Sequence, residues 1–414
     1  MIEHMDDAFK KPELLAPAGD WPALFAAVES GADAVYFGVR GLNMRHLAAN
    51  FELNEISKVM DVLHRQERKG YLTLNTVMLQ QDLAAAQKIL KASHKAGVDA
   101  VIAWDMAVVA MARQMGMPVH ISTQASAANI EAVRFFAGLG AERVVLAREC
   151  TLKDIREIIF QIRAEGIPCG IETFVHGAMC VSVSGRCFLS QQVFGKSANR
   201  GQCLQPCRRE FQIKDKDEEA EFILGEDYVL SPKDLCTIEF LEELIEAGIT
   251  AFKIEGRMRA AEYVNVAVSC YRKAIDAYFE GRLDEALKQE LKSQLASVYN
   301  RGFSSGFFFG QPELDSWSKK LEHSHEKVFV GQVTRFFNQI QVAEVRLSSG
   351  RIEKGQELLF SGKTTPARIC RLEEMQKGDE FIDCAQKGDI VGIKTPFRVR
   401  PKDKVFLWNE KKGV

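Results

Sequence analysis

The sequence predicts an α/β fold, a (β/α)8 barrel followed by a small C-terminal antiparallel β-barrel. Three observations predict it. First, eight short apolar runs rich in β-branched residues alternate with amphipathic helical stretches over the first three quarters of the chain; strands buried on both faces read this way. Second, four helices end in glycine and a strand begins two or three residues later: GADAVYFG from Gly31, GVDAVIAWD from Gly97, GAERVVLARE from Gly140 and GITAFKIEGR from Gly248. Glycine just past a helix, followed by a buried strand, is the chemistry of αβ loops. Third, from Val328 the period changes to strict alternation. The runner-up is an open doubly wound sheet, but no G-x-G-x-x-G follows the first strand to support dinucleotide binding.

In chain order the predicted strands are Glu13–Ala16, Asp33–Phe37, Tyr71–Thr76, Asp99–Trp104, Pro118–Ser122, Arg143–Ala147, Pro168–Phe174 and Ala251–Glu255. Asp20 caps the first helix, with Pro22 in its first turn. Residues 260–281 and 284–300 are helical by period, with Tyr263, Ala267 and Tyr271 on one face. The barrel domain is assigned to residues 1–310, with a polar linker at 311–327. Residues 328–414 form the second domain, about six strands separated by turns such as Ser349-Gly350 and Lys354-Gly355. Its IEKGQELLF and KGDIVGI elements resemble domain two of translation elongation factors.

Composition narrows the function. The 414 residues are 46 % hydrophobic and 27 % charged, as in ordinary globular proteins. The net charge of −2 provides no global field for nucleic acid, so such a partner must use a local patch. No run of eighteen apolar residues occurs, so no membrane partner is expected. The opening MIEHMDDAFKK lacks the character of a secretory signal. A reducing, cytoplasmic setting follows as an expectation, in which structural disulfides are disfavoured.

Four of the ten cysteines crowd into residues 172–209: Cys180, Cys187, Cys203 and Cys207, spaced C-x6-C-x15-C-x3-C. An iron–sulfur cluster takes four thiolates at many spacings. A structural zinc prefers close pairs, which only Cys203 and Cys207 provide. Unrelated core thiols are the third reading. Cys236 lies nearby as a possible fifth thiol, although a buried helical cysteine is the preferred reading there.

In a barrel, chemistry gathers where strands run into the loops that follow them. The polar residues at those positions include Arg45 and His46, Asn75, Asp105, Gln124, Arg148 and Glu149, Glu172 and His176, and Lys253, Glu255, Arg257 and Arg259. Several arginines at one mouth suit an anion such as a dicarboxylate or phosphate. The assigned substrate residues are Arg45, His46, Gln124, Arg148, Glu255 and Arg257. Glu172 and His176, four apart and so able to face each other, are the catalytic candidates. Lys196, Arg200, Arg208 and Arg209 beside the cysteines are candidate RNA contacts.

LLAPAG, GADAVYFG, ETFVHGAMC with SGRCFLS, and NRGFSSGFFFG together resemble the collagenase-like peptidase family over nearly the whole chain. Within that family the length and cysteine spacing look most like the enzymes that make 5-hydroxyuridine at the wobble base of tRNA from prephenate. Sister branches hydroxylate ribosomal RNA or act in oxygen-independent ubiquinone synthesis. The resemblance implies a [4Fe-4S] cluster on Cys180, Cys187, Cys203 and Cys207, prephenate as co-substrate and tRNA as partner. The alternative, peptide hydrolysis, finds neither H-E-x-x-H nor G-x-S-x-G in the sequence.

Overall fold

The computed structural model describes residues 10–209, 213–214, 221–222, 230–312 and 324–411. Eight parallel strands close into a barrel. They are β1 (Glu13–Ala18), β2 (Ala34–Phe37), β3 (Lys69–Thr73), β4 (Ala100–Ala103), β5 (Val119–Ile121), β6 (Arg143–Val145), β7 (Gly170–Gly177) and β8 (Ala251–Ile254). Each pairs with its neighbour in sequence; β8 lies between β7 and β1 and closes the ring. The expected strands are all present, displaced at their ends by a few residues. Gly31, Gly97, Gly140 and Gly248 have φ of 90°, 71°, 81° and 83°. A side chain there would strain the backbone, so the four helix-to-strand repeats follow from a steric requirement.

The first helix, Trp21–Glu29, starts where expected: the Asp20 carboxylate accepts the N–H of Ala23 at 2.9 Å. The long helix Ala261–Phe279 buries Tyr263, Ala267 and Tyr271 against the barrel wall. The cysteine stretch follows β7, and its first residues are framed by two short strands. Asp234–Cys236 runs antiparallel to β7 and parallel to Phe303–Ser304. Cys236 therefore belongs to a strand; the helix expected to contain it begins at Leu241.

The C-terminal unit is an antiparallel sheet of eight strands rather than six, with a separate two-stranded pair. It curls into a half-barrel, because its outermost strands do not pair with each other. Its centre is His325–Phe337 against Lys404–Glu410. The sheet thus begins at His325, within the stretch assigned to the linker; residues 313–323 of that stretch lie outside the described residues. Leu359, Ala367 and Trp408 share the barrel's apolar core, and Arg368 and Lys327 pair with Glu29 and Glu262. Among the described residues no helix is long and apolar enough to cross a membrane.

A ladder of charges runs through the barrel interior. Lys253 Nζ donates to Glu172 Oε1 at 2.6 Å, and Arg143 Nη1 donates to Glu172 Oε2 at 3.2 Å and to Glu13 Oε1 at 2.7 Å. Glu172 has no exposed surface. Two carboxylates and two cations balance, which permits their burial. Glu172→Ala should leave Lys253 and Arg143 undercompensated and cost about 3–5 kcal/mol. A fall in the urea midpoint checks this; an unchanged midpoint would show that the ladder contributes nothing net.

Candidate active site

One cavity opens at the carboxyl ends of the strands, where barrels place their chemistry. Its floor includes Tyr36, Thr73, Phe174 and Lys253 from the strands, and its wall includes Asn75, Gln124, Arg148, Glu255 and Arg257 from the loops that follow. The cysteine stretch forms the roof: Cys180, Cys187, Cys203 and Cys207 all line the same cavity. Burial pushes the Cys203 and Cys207 thiols up, and charge on the other cysteines adds to this. The N–H of Leu189 points at Cys187 Sγ at 3.3 Å, and that of Gln205 at Cys203 Sγ at 3.4 Å. Cys236 is absent from this cavity; it is buried beside the Tyr271 hydroxyl, and burial raises its pKa to about 11.

The electrostatics are uneven. Arg45 forks onto Glu255. Burial alone would raise the Glu255 pKa, but the Arg45 guanidinium overrides this and holds it below the usual value. Lys253 is balanced by Glu172. Arg257 is 3 % exposed, yet its guanidinium is held by neutral oxygens: Thr73 Oγ1 at 2.6 Å, Asn43 Oδ1 at 2.7 Å and Asn50 Oδ1. Burial lowers its pKa to about 10, so it stays charged at neutral pH. Gly38 makes room for it, since a Cβ there would lie 2.4 Å from Arg257 Nη2. Arg148 lies 4.1 Å above the Phe174 ring, and its Nε has no partner among the described residues. Two guanidiniums at this cavity thus have no carboxylate bonded to them.

The structure brings five of the six expected substrate residues to the cavity: Arg45, Gln124, Arg148, Glu255 and Arg257. His46 does not line it; its Nδ1 lies 3.1 Å from Gly41 O within its own loop. Asp105 caps the helix Met106–Gln114 instead of facing the mouth. Glu172 and His176 do not face each other. A bulge in β7 shifts the register opposite Lys253 and Ile254, so the period-two expectation fails between them. Glu172 points into the barrel, whereas His176 packs against Tyr263, Tyr271 and Phe303. Of the four expected RNA contacts, Arg200 is occupied by Asp82 and Val77 O, and Arg208 by Ser231 Oγ, Pro232 O and Met179 O. These two tie the roof to the barrel; Lys196 and Arg209 remain exposed.

Sequence reasoning missed Asn43, Asn50 and Thr73, the cradle of Arg257. No spacing signals them, because neutral amides and hydroxyls are common in loops and strand ends. It also missed the ladder partners Glu13 and Arg143, although both open apolar strand runs, and a charge at such a position is the available signal.

His176 gives a pH signature. Burial depresses its pKa to about 3, against 6.5 in the unfolded chain. As pH falls below 6.5 the unfolded state gains a proton that the folded state refuses, so stability declines towards pH 3 at about 1.4 kcal/mol per unit. His176→Phe should remove this component. Relative to wild type, the variant should gain up to about 2–3 kcal/mol between pH 6.5 and 4.5. Parallel stability curves would show that His176 protonates within the fold.

Comparison with known proteins places the chain. The model of Peptidase family U32 matches residues 19–318. The chain is 40 % identical over 408 residues to a Porphyromonas gingivalis protein named collagenase, covering 96 % of this chain and 98 % of that one. It is 36 % identical over 406 residues to tRNA hydroxylation protein P1 of Bacillus subtilis, covering 95 % and 94 %. It is 38 % identical over 277 residues to 23S rRNA 5-hydroxycytidine C2501 synthase of Escherichia coli, covering 66 % of this chain and 41 % of that protein. The matched segment spans nearly the whole barrel, including the cysteine roof, and on this basis the chain belongs to peptidase family U32.

Proposed function

We propose that this protein is an RNA-modifying enzyme that hydroxylates the wobble uridine of tRNA to 5-hydroxyuridine, with prephenate as co-substrate. Relatives named for tRNA hydroxylation and for rRNA hydroxycytidine synthesis support RNA hydroxylation as the reaction class. The observation that carries the reading is that one cavity joins four thiols to two guanidiniums lacking carboxylate partners.

Cys180, Cys187, Cys203 and Cys207 would hold a [4Fe-4S] cluster, which when bound supplies electron transfer or a Lewis-acidic iron for the oxygen donor. The donor set fits it. All four thiols border one cavity, and four thiolates are the donor set that such a cluster takes. Arg148 and Arg257 supply two positive charges for a dicarboxylate, and Arg257 is already oriented by three oxygens before the ligand arrives. The Gln124 Oε1 accepts from Asn75 and Ser122, leaving its N–H2 group to donate to a uracil carbonyl. The uridine must leave its stack to reach this depth. Peptide hydrolysis finds less support. His176 is walled in by aromatic rings, and both oxygens of Glu172 are taken by cations, so neither serves Cys180 or a water as base.

Two measurements test the proposal. Anaerobically purified protein should carry about four irons and four sulfides per chain. Cys207→Ala should lose most of the iron and Cys236→Ala should keep it; stoichiometric zinc without sulfide would sink the cluster. Cells lacking the protein should lose 5-hydroxyuridine or its derivatives from tRNA by nucleoside mass spectrometry. Wild-type copies should restore the signal, and copies with Cys180→Ala or Arg257→Lys should not, because lysine keeps the charge and loses the fork. An unchanged tRNA profile would redirect the reading to ribosomal RNA or a quinone precursor.

A further inference from the structure

The rim of the cavity is apolar and exposed where a folded protein gains nothing from it. Phe188 sits between two cavity-lining residues, Cys187 and Leu189, yet its ring is 67 % exposed. Val183 precedes the lining residue Ser184 and Leu204 follows Cys203; both are also exposed. One exposed apolar side chain needs no explanation, but several along the edge of one site mark a contact surface.

Basic side chains are interleaved with these residues. Arg186, two residues before Phe188, is exposed; its guanidinium lies 5.9 Å from the Trp104 ring and is steadied by Ser126 Oγ at 2.8 Å. Trp104 is itself fixed by its indole N–H to Asn75 O at 2.9 Å, and Asn75 lines the cavity. On the other side of the roof, Arg209 stacks 4.5 Å from the Phe194 ring, with Lys196 exposed nearby in sequence. None of these three cations has an ion pair among the described residues, whereas Arg200 and Arg208 of the same roof are consumed internally. Planar rings alternating with unpaired cations match an unpaired nucleic-acid strand, whose bases stack on any aromatic face while its phosphates meet the cations.

We propose that Phe188 and the Arg186–Trp104 pair are stacking platforms for the unpaired nucleotides flanking the one inserted in the cavity. The partner is therefore a single-stranded RNA loop, read by stacking rather than by base-edge hydrogen bonds. This rests on the RNA reading above and adds the residues that select a loop over a duplex. Arg186 and Phe188 adjoin Cys187, so nucleotides bound here would lie beside the roof of the cavity.

The experiment measures binding of a fluorescent anticodon stem-loop RNA, and of the same stem as a continuous duplex, to the full-length protein prepared anaerobically with its metal. Phe188→Ala should weaken stem-loop binding about tenfold. It should leave duplex binding, iron content and the slope of affinity against salt unchanged, because no phosphate contact is lost. Phe188→Trp should restore affinity. Lys196→Ala should instead lower the salt slope by about one. Wild-type stem-loop affinity in Phe188→Ala overturns the stacking proposal and leaves the RNA reading standing. Equal loss on stem-loop and duplex also overturns it. A wild-type protein that binds neither RNA overturns both.

Discussion

A buried guanidinium without a counter-ion is the constraint around which the barrel mouth is arranged. Arg257 follows β8 and reaches back over β2 and β3. It is charged at neutral pH and buried, so its N–H groups must be satisfied. Asn43, Asn50 and Thr73 do this for its two terminal nitrogens with oxygens that carry no charge, while its Nε has no partner among the described residues. The loop after β2 is therefore shaped by the arginine: two of its asparagines point inward, and Gly38 removes the side chain that would collide with Nη2. A carboxylate in their place would have cancelled the charge. Neutral partners fix the fork and leave its charge to act on a ligand.

The contrast with the barrel interior sharpens this. Below the mouth every buried charge has an opposite: Glu13, Arg143, Glu172 and Lys253 alternate along one ladder, and Arg45 meets Glu255 above it. The excess lies in Arg148 and Arg257. These two cations without carboxylate partners lie in the wall of a cavity roofed by four thiols, where the proposed function places a dianionic ligand. Cys180 lines the same cavity as Arg45 and Arg148, so the roof and the guanidiniums share one environment.

The roof has no regular core of its own. It is short turns and one six-residue helix, Leu189–Phe194, held by polar stitches. Arg200 binds it to Asp82, Arg208 to Ser231, Pro232 and Met179, and the side chain of Asn199 accepts the N–H of Cys187 at 3.0 Å. These bonds explain why arginines beside a cysteine motif are poor guides to nucleic-acid contacts. Their fork is as useful for anchoring a loop as for holding phosphate.

The sequence by itself determined the barrel, because its evidence is local. Glycines that must adopt positive φ after a helix, an aspartate cap and buried β-branched runs act over a few residues, and all appear where the pattern puts them. The cysteine spacing likewise singled out the four thiols that share the cavity. Only the tertiary structure decided which polar residues meet. The bulge in β7 turned His176 away from Glu172, a shift of one residue that no periodicity announces. Asp82, far away in sequence, pairs with Arg200, and Asn43, Asn50 and Thr73 converged on Arg257 from one loop and a strand. Side-chain pairing depends on distances across the barrel, and those are set only when the ring of strands closes.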